Sequence, residues 1–564
     1  MYIKKTVTFL ITVILIFVFC LSTSAQTINS TDTGLESSIG VVAAEYENYK
    51  TTLEPENELP SYYSSKDLGF TTDVRSQQRN DCWAYGSLAT LETLLKKQSE
   101  ITKHIYADNW FSPTHMNFWG ADRGGQYGWH RSYTSGGYPY ISLGYLTSWS
   151  GSLFDIDFPT TVSISDYDKY DQSSIKREGI NKAIYLNSDD KDTIKTAIHK
   201  YGAVLGNYHH DGSYLNYTTY GYYCDRPGLS TSQLIGHCIS IVGWDDNYSK
   251  NNFLHTPQND GAWIIKNSYG SSWGLDGYFY ISYEDLYLFD TRFGNSYAIT
   301  EPWQITSSSK LLQDEIYGAT VEFDYINNDY KIDDKTFDTI TYCNVFNTKD
   351  GFNRLDRINF ESTSINSNYT LYYIPVDEEK IPLGDENKWT ELTSGTIDYN
   401  GYHSIDTDKF TIPDESFALG IKITQKDNSG ISIGCDEWLK IGGEYVFDPP
   451  VKKGDSFIIG AKEKPYDLLD YYNEYLYDDF GATFSIKAIV SQKHDLGDCD
   501  LNGIFEIVDA TQIQKMLANF ITFNDEQNII GDIDNTGDVS IVDASHIQKI
   551  IANIEKYPNS YSYD

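Results

Sequence analysis

The spacing of hydrophobic residues changes along the chain and divides it into regions of different predicted structure. Apolar side chains recur at helical spacing from residue 84 to residue 97, and again over residues 194–201. The leucines of the first apolar face are Leu88, Leu91, Leu94 and Leu95. Three short apolar runs bounded by turn residues, at 239–243, 262–266 and 278–283, then predict strands. The sequence therefore predicts an α+β domain over residues 59–298.

Residues 310–490 show a different pattern. Short β-rich runs recur there, among them 356–361, 369–374 and 417–423, and Asn, Asp, Gly and Pro separate them. Regularly spaced short strands with turns between them are typical of an antiparallel β-sandwich. The sequence therefore predicts an all-β second domain.

The first 25 residues have the pattern of an export signal. Lys4 and Lys5 precede an apolar run over residues 6–21, and small residues lead to Ala25. An uncleaved membrane anchor is the alternative. Because no later apolar run is long enough to span a bilayer, we expect a secreted protein that is not an integral membrane protein. Residues 26–58 are polar and acidic, and they predict a short leader or propeptide.

The composition excludes several classes of protein. The chain is 40% hydrophobic and 15% aromatic, which is enough apolar material for packed cores. Its formal charge of -37 repels nucleic acid and anionic lipid, so neither is an expected partner, but it suits calcium. The cysteines after the signal are scattered without paired spacing, so no disulfide framework is predicted.

Cys82 is the candidate nucleophile. It lies in the segment 77–85 (QQRNDCWAY), where Asn80 or Asp81 could cap the helix that follows. A thiol attacks a peptide carbonyl well only as a thiolate, and a helix N-terminus lowers the pKa of a thiol. A buried structural cysteine is the alternative, because an isolated Cys-Trp pair carries little information.

Two downstream residues favour the catalytic interpretation. His237 begins one predicted buried strand, and Asn267 follows another. A base beside the thiol must take its proton, and a third group must hold that base in one tautomer. The order Cys82, His237, Asn267 meets this requirement. The pair His209 and His210 could suggest a metal site, but it has no suitably spaced partner.

These segments resemble the papain family of cysteine peptidases over roughly residues 59–295. The resemblance implies that Cys82 is the nucleophile, His237 the general base and acid, and Asn267 the residue that orients the histidine, with no cofactor for catalysis. A protein or peptide would then be the substrate.

The same resemblance implies further site residues. Gln77 would complete the oxyanion hole with the Cys82 backbone N–H, and Gln78 stays open as an alternative. The segment SGGYP is similar to the family segment that pairs with the substrate backbone, and glycines allow a close approach there. Its candidate substrate-binding residues are Gly136, Gly137, Tyr138 and Pro139.

The chain also departs from the family pattern. Arg79 and Thr134 stand roughly where the family often has two bridged cysteines, which indicates the coherent loss of a disulfide. Tyr269 replaces a tryptophan that commonly shields the histidine. The interval from the cysteine to the histidine is slightly long, and this predicts surface insertions in 120–134 or 208–225.

The C-terminal segment is an internal repeat. The pattern that begins at Gly497 recurs from Gly531, and each copy spaces oxygen ligands as an EF-hand-type loop does, with Asp at the last position. The candidate ligands of the first loop are Asp498, Asp500, Asn502, Ile504 (through its carbonyl), Glu506 and Asp509. Those of the second are Asp532, Asp534, Thr536, Asp538 (through its carbonyl), Ser540 and Asp543. The sequence therefore predicts two structural calcium sites, the second weaker because Thr536 offers a single hydroxyl.

The paired loops resemble a type I dockerin over residues 495–557. This resemblance implies a small α-helical domain whose partner is a cohesin on a scaffoldin. It also implies that Ile507 and Val508, with their repeat equivalents Ile541 and Val542, contact the cohesin.

Together these patterns predict a multidomain protein: an α+β papain-like catalytic domain, a β-sandwich and a dockerin. The β-sandwich resembles lectin-like domains and would bind carbohydrate or act as a spacer. The expected function is a secreted cysteine endopeptidase docked to a cell-surface, cellulosome-like complex. An inactive papain-like binding module and a component of polysaccharide degradation are the alternatives.

Overall fold

A computed structural model describes residues 51–555 with short gaps. The gaps are at 56, 103–109, 125–127, 171–177, 306–308, 314–319, 325–336, 349–351, 414, 427–430, 438, 442–443, 477–480, 492–493, 495, 502–504, 535 and 553. The predicted signal at 1–25 and most of the predicted leader lie outside the described residues. In the part of the chain that is described, no helix has the length and hydrophobicity to cross a membrane.

The first domain combines helices with a twisted sheet. Its helices are α1 (Cys82–Thr102), α2 (Pro113–Trp119), α3 (Pro139–Thr147), α4 (Tyr167–Tyr170) and α5 (Lys191–Tyr201). Its strands are β1 (Tyr62–Ser64), β2 (Gly128–Trp129), β3 (Glu178–Tyr185), β4 (Val204–His209), β5 (Leu215–Asn216), β6 (Gly221–Tyr222), β7 (Gly236–Asp245), β8 (Ala262–Lys266), β9 (Tyr278–Ser282) and β10 (Tyr297–Gln304). Short 3-10 turns lie at Ile164–Asp166, Gly212–Tyr214, Thr231–Gln233, Lys250–Asn252 and Thr291–Phe293.

Helix α1 and strand β7 form the centre of this domain. The leucine face of α1 is buried, as its periodicity predicts, and the helix packs against β7. Strand β7 is buried along nearly its whole length and pairs antiparallel with β4 on one side and β8 on the other. The first residues of α1 therefore lie close to the first residues of β7.

The second domain is β-rich, which confirms that part of the prediction. Its strands are β11 (Ser309–Leu312), β12 (Thr320–Asp324), β13 (Thr339–Asn347), β14 (Arg354–Ser362), β15 (Asn368–Pro375), β16 (Thr390–Thr396), β17 (Gly401–Thr411), β18 (Ser416–Thr424), β19 (Ser432–Glu437), β20 (Leu439–Ile441), β21 (Glu444–Asp448), β22 (Ser456–Ile459), β23 (Tyr466–Asp467), β24 (Ala482–Phe484) and β25 (Ile486–Ser491). Helix α6 spans Leu468–Tyr471, a 3-10 turn spans Glu386–Lys388 and a π-helical turn spans Tyr472–Leu476. The sheet β16-β15-β18-β13-β22-β23 shares one hydrophobic core with β14, β19, β24 and β25.

The two domains share one sheet, which the sequence did not predict. Strand β3 of the first domain pairs with β10 on one edge and with β17 of the second domain on the other. The Tyr185 hydroxyl donates to the Glu361 carboxylate across this junction at 2.6 Å. Strand β21 of the second domain also pairs with β2, so the domains meet at two places.

The C-terminal repeat folds as three short helices, α7 (Ile507–Leu517), α8 (Asp525–Gly531) and α9 (Ile541–Ile551). The repeat-related helices α7 and α9 pack against each other over a small core that includes Ile513 and Ile547. Each begins with a capping box closed by the last aspartate of its loop, Asp509 or Asp543. The two copies of the sequence thus adopt the same local structure.

Candidate active site

Cys82 lies at the start of α1 and is fully buried. The carbonyl of the preceding Asp81 accepts the N–H groups of Ala84 and Tyr85, which makes Asp81 the capping residue. The Cys238 backbone N–H points at the Cys82 sulfur at 3.5 Å. The helix start and the start of β7 therefore meet at this thiol.

The surroundings of the thiol oppose the lowering of its pKa that the helix N-terminus predicts. Burial raises the pKa of Cys82 well above its usual value, and the nearby Cys238 and Asp81 raise it further. Burial also raises the pKa of Asp81 to about 6, although Arg79 and Arg131 oppose that shift. Burial thus favours the neutral thiol, and ionisation needs a proton acceptor.

His237 and Asn267 form the contact that tautomer control requires. The Nε2 atom of His237 lies 2.9 Å from Oδ1 of Asn267. The Ser268 backbone N–H also donates to this Oδ1, which fixes the orientation of the amide. Since the amide oxygen only accepts, Nε2 carries the hydrogen, and Nδ1 is the basic atom of the neutral ring. The Tyr269 ring stacks on the imidazole with centroids 5.0 Å apart, so an aromatic residue does shield the histidine.

The two glutamines differ in their surroundings. Gln77 is half-buried, its Oε1 accepts the Ser268 hydroxyl at 2.6 Å, and its Nε2 donates to the Arg79 carbonyl at 2.9 Å. Gln78 is exposed and donates to the Ser76 carbonyl. Gln77 is thus the glutamine joined to the segment that carries Asn267.

The predicted substrate segment packs beside the nucleophile. Gly136 and Gly137 are buried, and Tyr138 is half-buried. A Cβ on Gly137 would lie 2.5 Å from Nε1 of Trp83, so this position accepts no side chain. The buried Pro139 begins α3, where a proline needs no hydrogen-bond donor.

Sequence reasoning missed two residues next to the histidine. Tyr208 lies opposite His237 in the β4–β7 ladder, and its hydroxyl is 2.7 Å from Nδ1 of His210. The His210 ring centroid is 5.6 Å from that of His237. Burial, together with the smaller effect of the nearby His237, lowers the pKa of His210 to about 3, so His210 is neutral. The available signal in the sequence was the alternation of side chains along a strand, which puts residues 208 and 210, two positions apart, on the same side.

The C-terminal loops bring carboxylates together. Asp498, Asp500 and Asp509 each offer an oxygen within 4.8 Å of the others. Asp532, Asp534 and Asp543 do the same in the second loop. Burial, with a smaller contribution from the charges of Asp500 and Asp498, raises the pKa of Asp509 to about 6. Clustered carboxylates of this kind fit a hard cation such as calcium.

The remaining predicted ligands have other placements. Asn502 and Ile504 lie outside the described residues. Glu506 and Ser540 cap their helices, and Asp538 is exposed. The Thr536 hydroxyl donates to Asp534 at 2.8 Å. The predicted cohesin-contact residues are partly exposed, at 53% for Ile507, 37% for Val508, 56% for Ile541 and 47% for Val542.

Comparisons with known proteins agree with this geometry. Residues 59–292 match the papain family of cysteine proteases, and residues 325–489 match the lectin-like domain family. The chain therefore contains a papain family cysteine protease domain followed by a lectin-like domain.

A solved structure has both domains. It contains the cysteine protease and lectin-like domains of Cwp84, a surface layer associated protein of Clostridium difficile. It is 28% identical to this chain with a TM-score of 0.65, and the match covers 79% of this chain and 90% of that one.

Two curated proteins match the protease domain. The probable cysteine protease RD19C of Arabidopsis thaliana is 25% identical over 235 residues, which are 40% of this chain and 57% of that protein. Cathepsin K of Mus musculus is 25% identical over 236 residues, which are 40% of this chain and 61% of that protein. The chain thus spans less than two thirds of each of these relatives.

Proposed function

We propose that the protein is a cysteine endopeptidase in which Cys82 is the nucleophile, His237 the general base and acid, and Asn267 the orienting residue. The contact of 2.9 Å between His237 Nε2 and Asn267 Oδ1 carries this proposal, because it leaves Nδ1 as the basic atom of the ring. The backbone N–H of the next residue, Cys238, lies 3.5 Å from the buried Cys82 sulfur. The match of residues 59–292 to the papain family supports it.

The reaction proceeds through a thioester. His237 Nδ1 takes the proton of the Cys82 thiol as the sulfur attacks the carbonyl carbon of the substrate. The oxyanion accepts hydrogen bonds from the Cys82 backbone N–H and the Gln77 amide, once that amide releases the Arg79 carbonyl. The imidazolium then protonates the leaving amine, and the C–N bond breaks. Water, deprotonated by His237, hydrolyses the thioester and regenerates the thiol.

The hydrolysis of an unfolded protein such as casein tests this proposal. Wild-type protein is expected to hydrolyse it, and Cys82→Ala is expected to lose the activity while it keeps its thermal unfolding midpoint. Cys224→Ala is the matched control, since Cys224 is another buried cysteine of the same domain. Equal activity in wild type and Cys82→Ala would refute the assignment. A folded wild type without activity would favour the inactive binding module.

The C-terminal repeat is, in this proposal, a calcium-dependent type I dockerin that binds a cohesin of a scaffoldin. Three carboxylates converge in each loop, and the apolar pairs at the start of α7 and α9 are exposed. Asp498, Asp500 and Asp509 would hold one ion, and Asp532, Asp534 and Asp543 the other. Calcium would neutralise carboxylates that otherwise repel one another.

The lectin-like domain is proposed to bind carbohydrate. A groove of about 580 Å³ lies between the turn at 377–381 and the segment 453–457, a size that suits a small saccharide. Phe457 contributes an apolar side chain to its lining, and Asn347 and Asp455 contribute polar groups. Calorimetry with cell-wall polysaccharide fragments is expected to show binding that Asp455→Ala weakens. A spacer role predicts no binding by either protein.

The proposed location is the cell surface. The signal pattern at 1–25 favours export, and the dockerin would attach the secreted protein to a cellulosome-like scaffoldin. Because most dockerin-bearing proteins act on glycans, a role in polysaccharide degradation is the second candidate function.

A further inference from the structure

The side chain of Arg131 donates hydrogen bonds both to the segment next to the nucleophile and to the end of α2. Its Nε donates to the Gly136 carbonyl at 2.8 Å, and its Nη2 donates to the Ser135 carbonyl at 2.7 Å and to Asn117 Oδ1 at 2.8 Å. Its Nη1 donates to the carbonyls of Gly120 at 2.7 Å and Asn117 at 3.2 Å. A guanidinium has five N–H donors, and each has an acceptor here.

These contacts join the substrate segment to the body of the domain. Asn117 and Gly120 lie at the end of α2, and the guanidinium carbon is 5.3 Å from the ring centroid of Trp83, the residue after the nucleophile. Gly137 contacts the same indole. Arg131 thus crosslinks three parts of the site: the end of α2, the nucleophile helix and the segment 135–137.

No disulfide provides this crosslink, because the cysteines among the described residues are free. Thr134, at one of the positions where the family often has a bridged cysteine, is exposed. Arg79, at the other, lies over the rings of Phe118 and Tyr133. The fixed planar fork of Arg131 supplies several directional bonds, as a lysine could not.

The lectin-like domain holds the strand that places Arg131. Strand β2 ends two residues before Arg131 and pairs with β21, with Trp129 opposite Phe447. The two rings lie 4.6 Å apart, and both residues are buried. Trp129 also contacts Tyr140, which stacks on Tyr138 of the substrate segment.

We propose that Arg131 is a positioning residue that holds the segment Ser135–Tyr138 in the conformation that binds substrate backbone, with β21 of the lectin-like domain supporting it. This inference rests on the proposed function, since that function assigns substrate binding to the segment.

Peptide binding in a Cys82→Ala background tests it without catalysis. Calorimetry would measure the affinity of an extended peptide for Cys82→Ala and for Cys82→Ala with Arg131→Lys. The peptide would have the sequence around a casein bond that the wild type cleaves, or it would come from a peptide library. We expect at least about tenfold weaker binding after Arg131→Lys, because lysine cannot replace the several directional hydrogen bonds of the guanidinium that hold the segment. Arg123→Lys is the matched control, because Arg123 is an exposed arginine over the Tyr167 ring, and it is expected to keep the affinity.

Thermal unfolding separates positioning from stability alone. A merely structural role lowers the unfolding midpoint but leaves the affinity of the folded protein unchanged, and that result would overturn the proposal. If Arg131→Lys does not fold, Asn117→Ala, which removes one acceptor of the guanidinium, is expected to weaken binding, and Asn117→Asp to retain it. Unchanged affinity in a folded Asn117→Ala would then refute the proposal.

The outcomes distinguish this inference from the proposed function. If the wild type hydrolyses protein and a folded Arg131→Lys binds peptide normally, only the inference about Arg131 is refuted. If peptide binding depends on Arg131 but the wild type hydrolyses nothing, only the peptidase proposal is refuted. If the wild type neither cleaves nor binds peptides, both are refuted.

Discussion

At the scale of single residues, the order of three residues carried the prediction of the site. Cys82, His237 and Asn267 were singled out because each stands in a recognisable local context, and the structure brings the histidine and asparagine into contact. The charge environment could not be predicted in the same way. The sequence suggested a lowered thiol pKa from the helix terminus alone, whereas burial and the adjacent Asp81 act in the opposite direction.

Asp81 gives a testable pH dependence. Its pKa is about 6, so its carboxylate is charged above that pH and neutral below it. The negative charge raises the pKa of the Cys82 thiol and disfavours the thiolate. Asp81→Asn is therefore expected to speed alkylation of Cys82 by iodoacetamide above about pH 6 and to match wild type below it.

The control for this experiment is Asp276→Asn, since the Asp276 carboxylate is 90% exposed and pairs with Lys66 at the surface. It is expected to leave the whole pH profile unchanged. A slower reaction of Asp81→Asn above about pH 6 would show that the carboxylate favours the thiolate, contrary to the predicted effect of its charge.

His210 shows what residue-level reasoning overlooked. The sequence suggested His209 and His210 together as a weak metal candidate. The structure instead places the His210 ring beside that of His237, with its Nδ1 bonded to the Tyr208 hydroxyl. Successive residues of a strand point to opposite faces, so the two histidines were never equivalent. The register that puts Tyr208 opposite His237 becomes known only when β4 and β7 are paired.

At the scale of elements, strong periodicity predicted the positions of helices and strands well, but the sequence did not predict which strands pair. Helix α1 extends a few residues beyond the predicted 84–97, and β8 has the predicted bounds. The pairing of β3 with β17 involves strands more than 200 residues apart in sequence, so no local pattern indicates it. The insertion predicted at 120–134 contains β2, which pairs with the lectin-like domain.

Gly137 tests how closely the substrate segment packs. A methyl group there would overlap the buried Trp83 indole, so Gly137→Ala is expected to lower the free energy of unfolding by about 1–3 kcal/mol, as overpacking usually does. It should also reduce kcat/KM for casein peptides, because the segment must shift. Thermal unfolding and hydrolysis rates measure both effects.

Gly124 is the comparison for this substitution, since a Cβ there meets no atom within 4 Å although its φ is +78°. Gly124→Ala is expected to cause only backbone strain, with normal kcat/KM. Equal hydrolysis by Gly137→Ala and wild type would contradict the proposed closeness of the segment to the nucleophile.

The two calcium loops differ in a way that predicts unequal mutants. Asp498 is 1% exposed, and its carboxylate lies 2.8 Å from Nδ1 of the buried His494. Asp532 is only half-buried, and the Thr536 hydroxyl in its loop is already bonded to Asp534. Asp498→Ala is therefore expected to weaken calcium binding more than Asp532→Ala, as measured by calcium titration of the full chain. The reverse order would contradict the assignment of the second loop as the weaker one.

At the scale of the whole molecule, the chain consists of a protease domain and a lectin-like domain that share a sheet, followed by a small repeat with its own core. The composition and the repeat indicated these parts, because each region has its own hydrophobic pattern. The coupling of the first two parts through β3, β17, β2 and β21 depends on tertiary contacts, and only the structure reveals it.

This division predicts a selective effect of chelation. EDTA should abolish binding to a cohesin panel, since the clustered carboxylates of the repeat then repel one another. Casein hydrolysis should persist, because the protease domain has a large core of its own and its proposed chemistry uses no metal. Loss of hydrolysis in EDTA, restored by calcium, would contradict the independence of the two parts.

The assignment of Cys82 as the nucleophile is tested most directly by the site of covalent labelling by a peptidyl epoxide inhibitor of papain-like enzymes. Mass spectrometry of the labelled full-length protein is expected to find one adduct per molecule, on the tryptic peptide that contains Cys82, with loss of casein hydrolysis in proportion to labelling. His237→Ala should label far more slowly, because the thiol then lacks its base. An adduct on any other cysteine, or hydrolysis that continues after Cys82 is fully labelled, would contradict the assignment of Cys82 as the nucleophile.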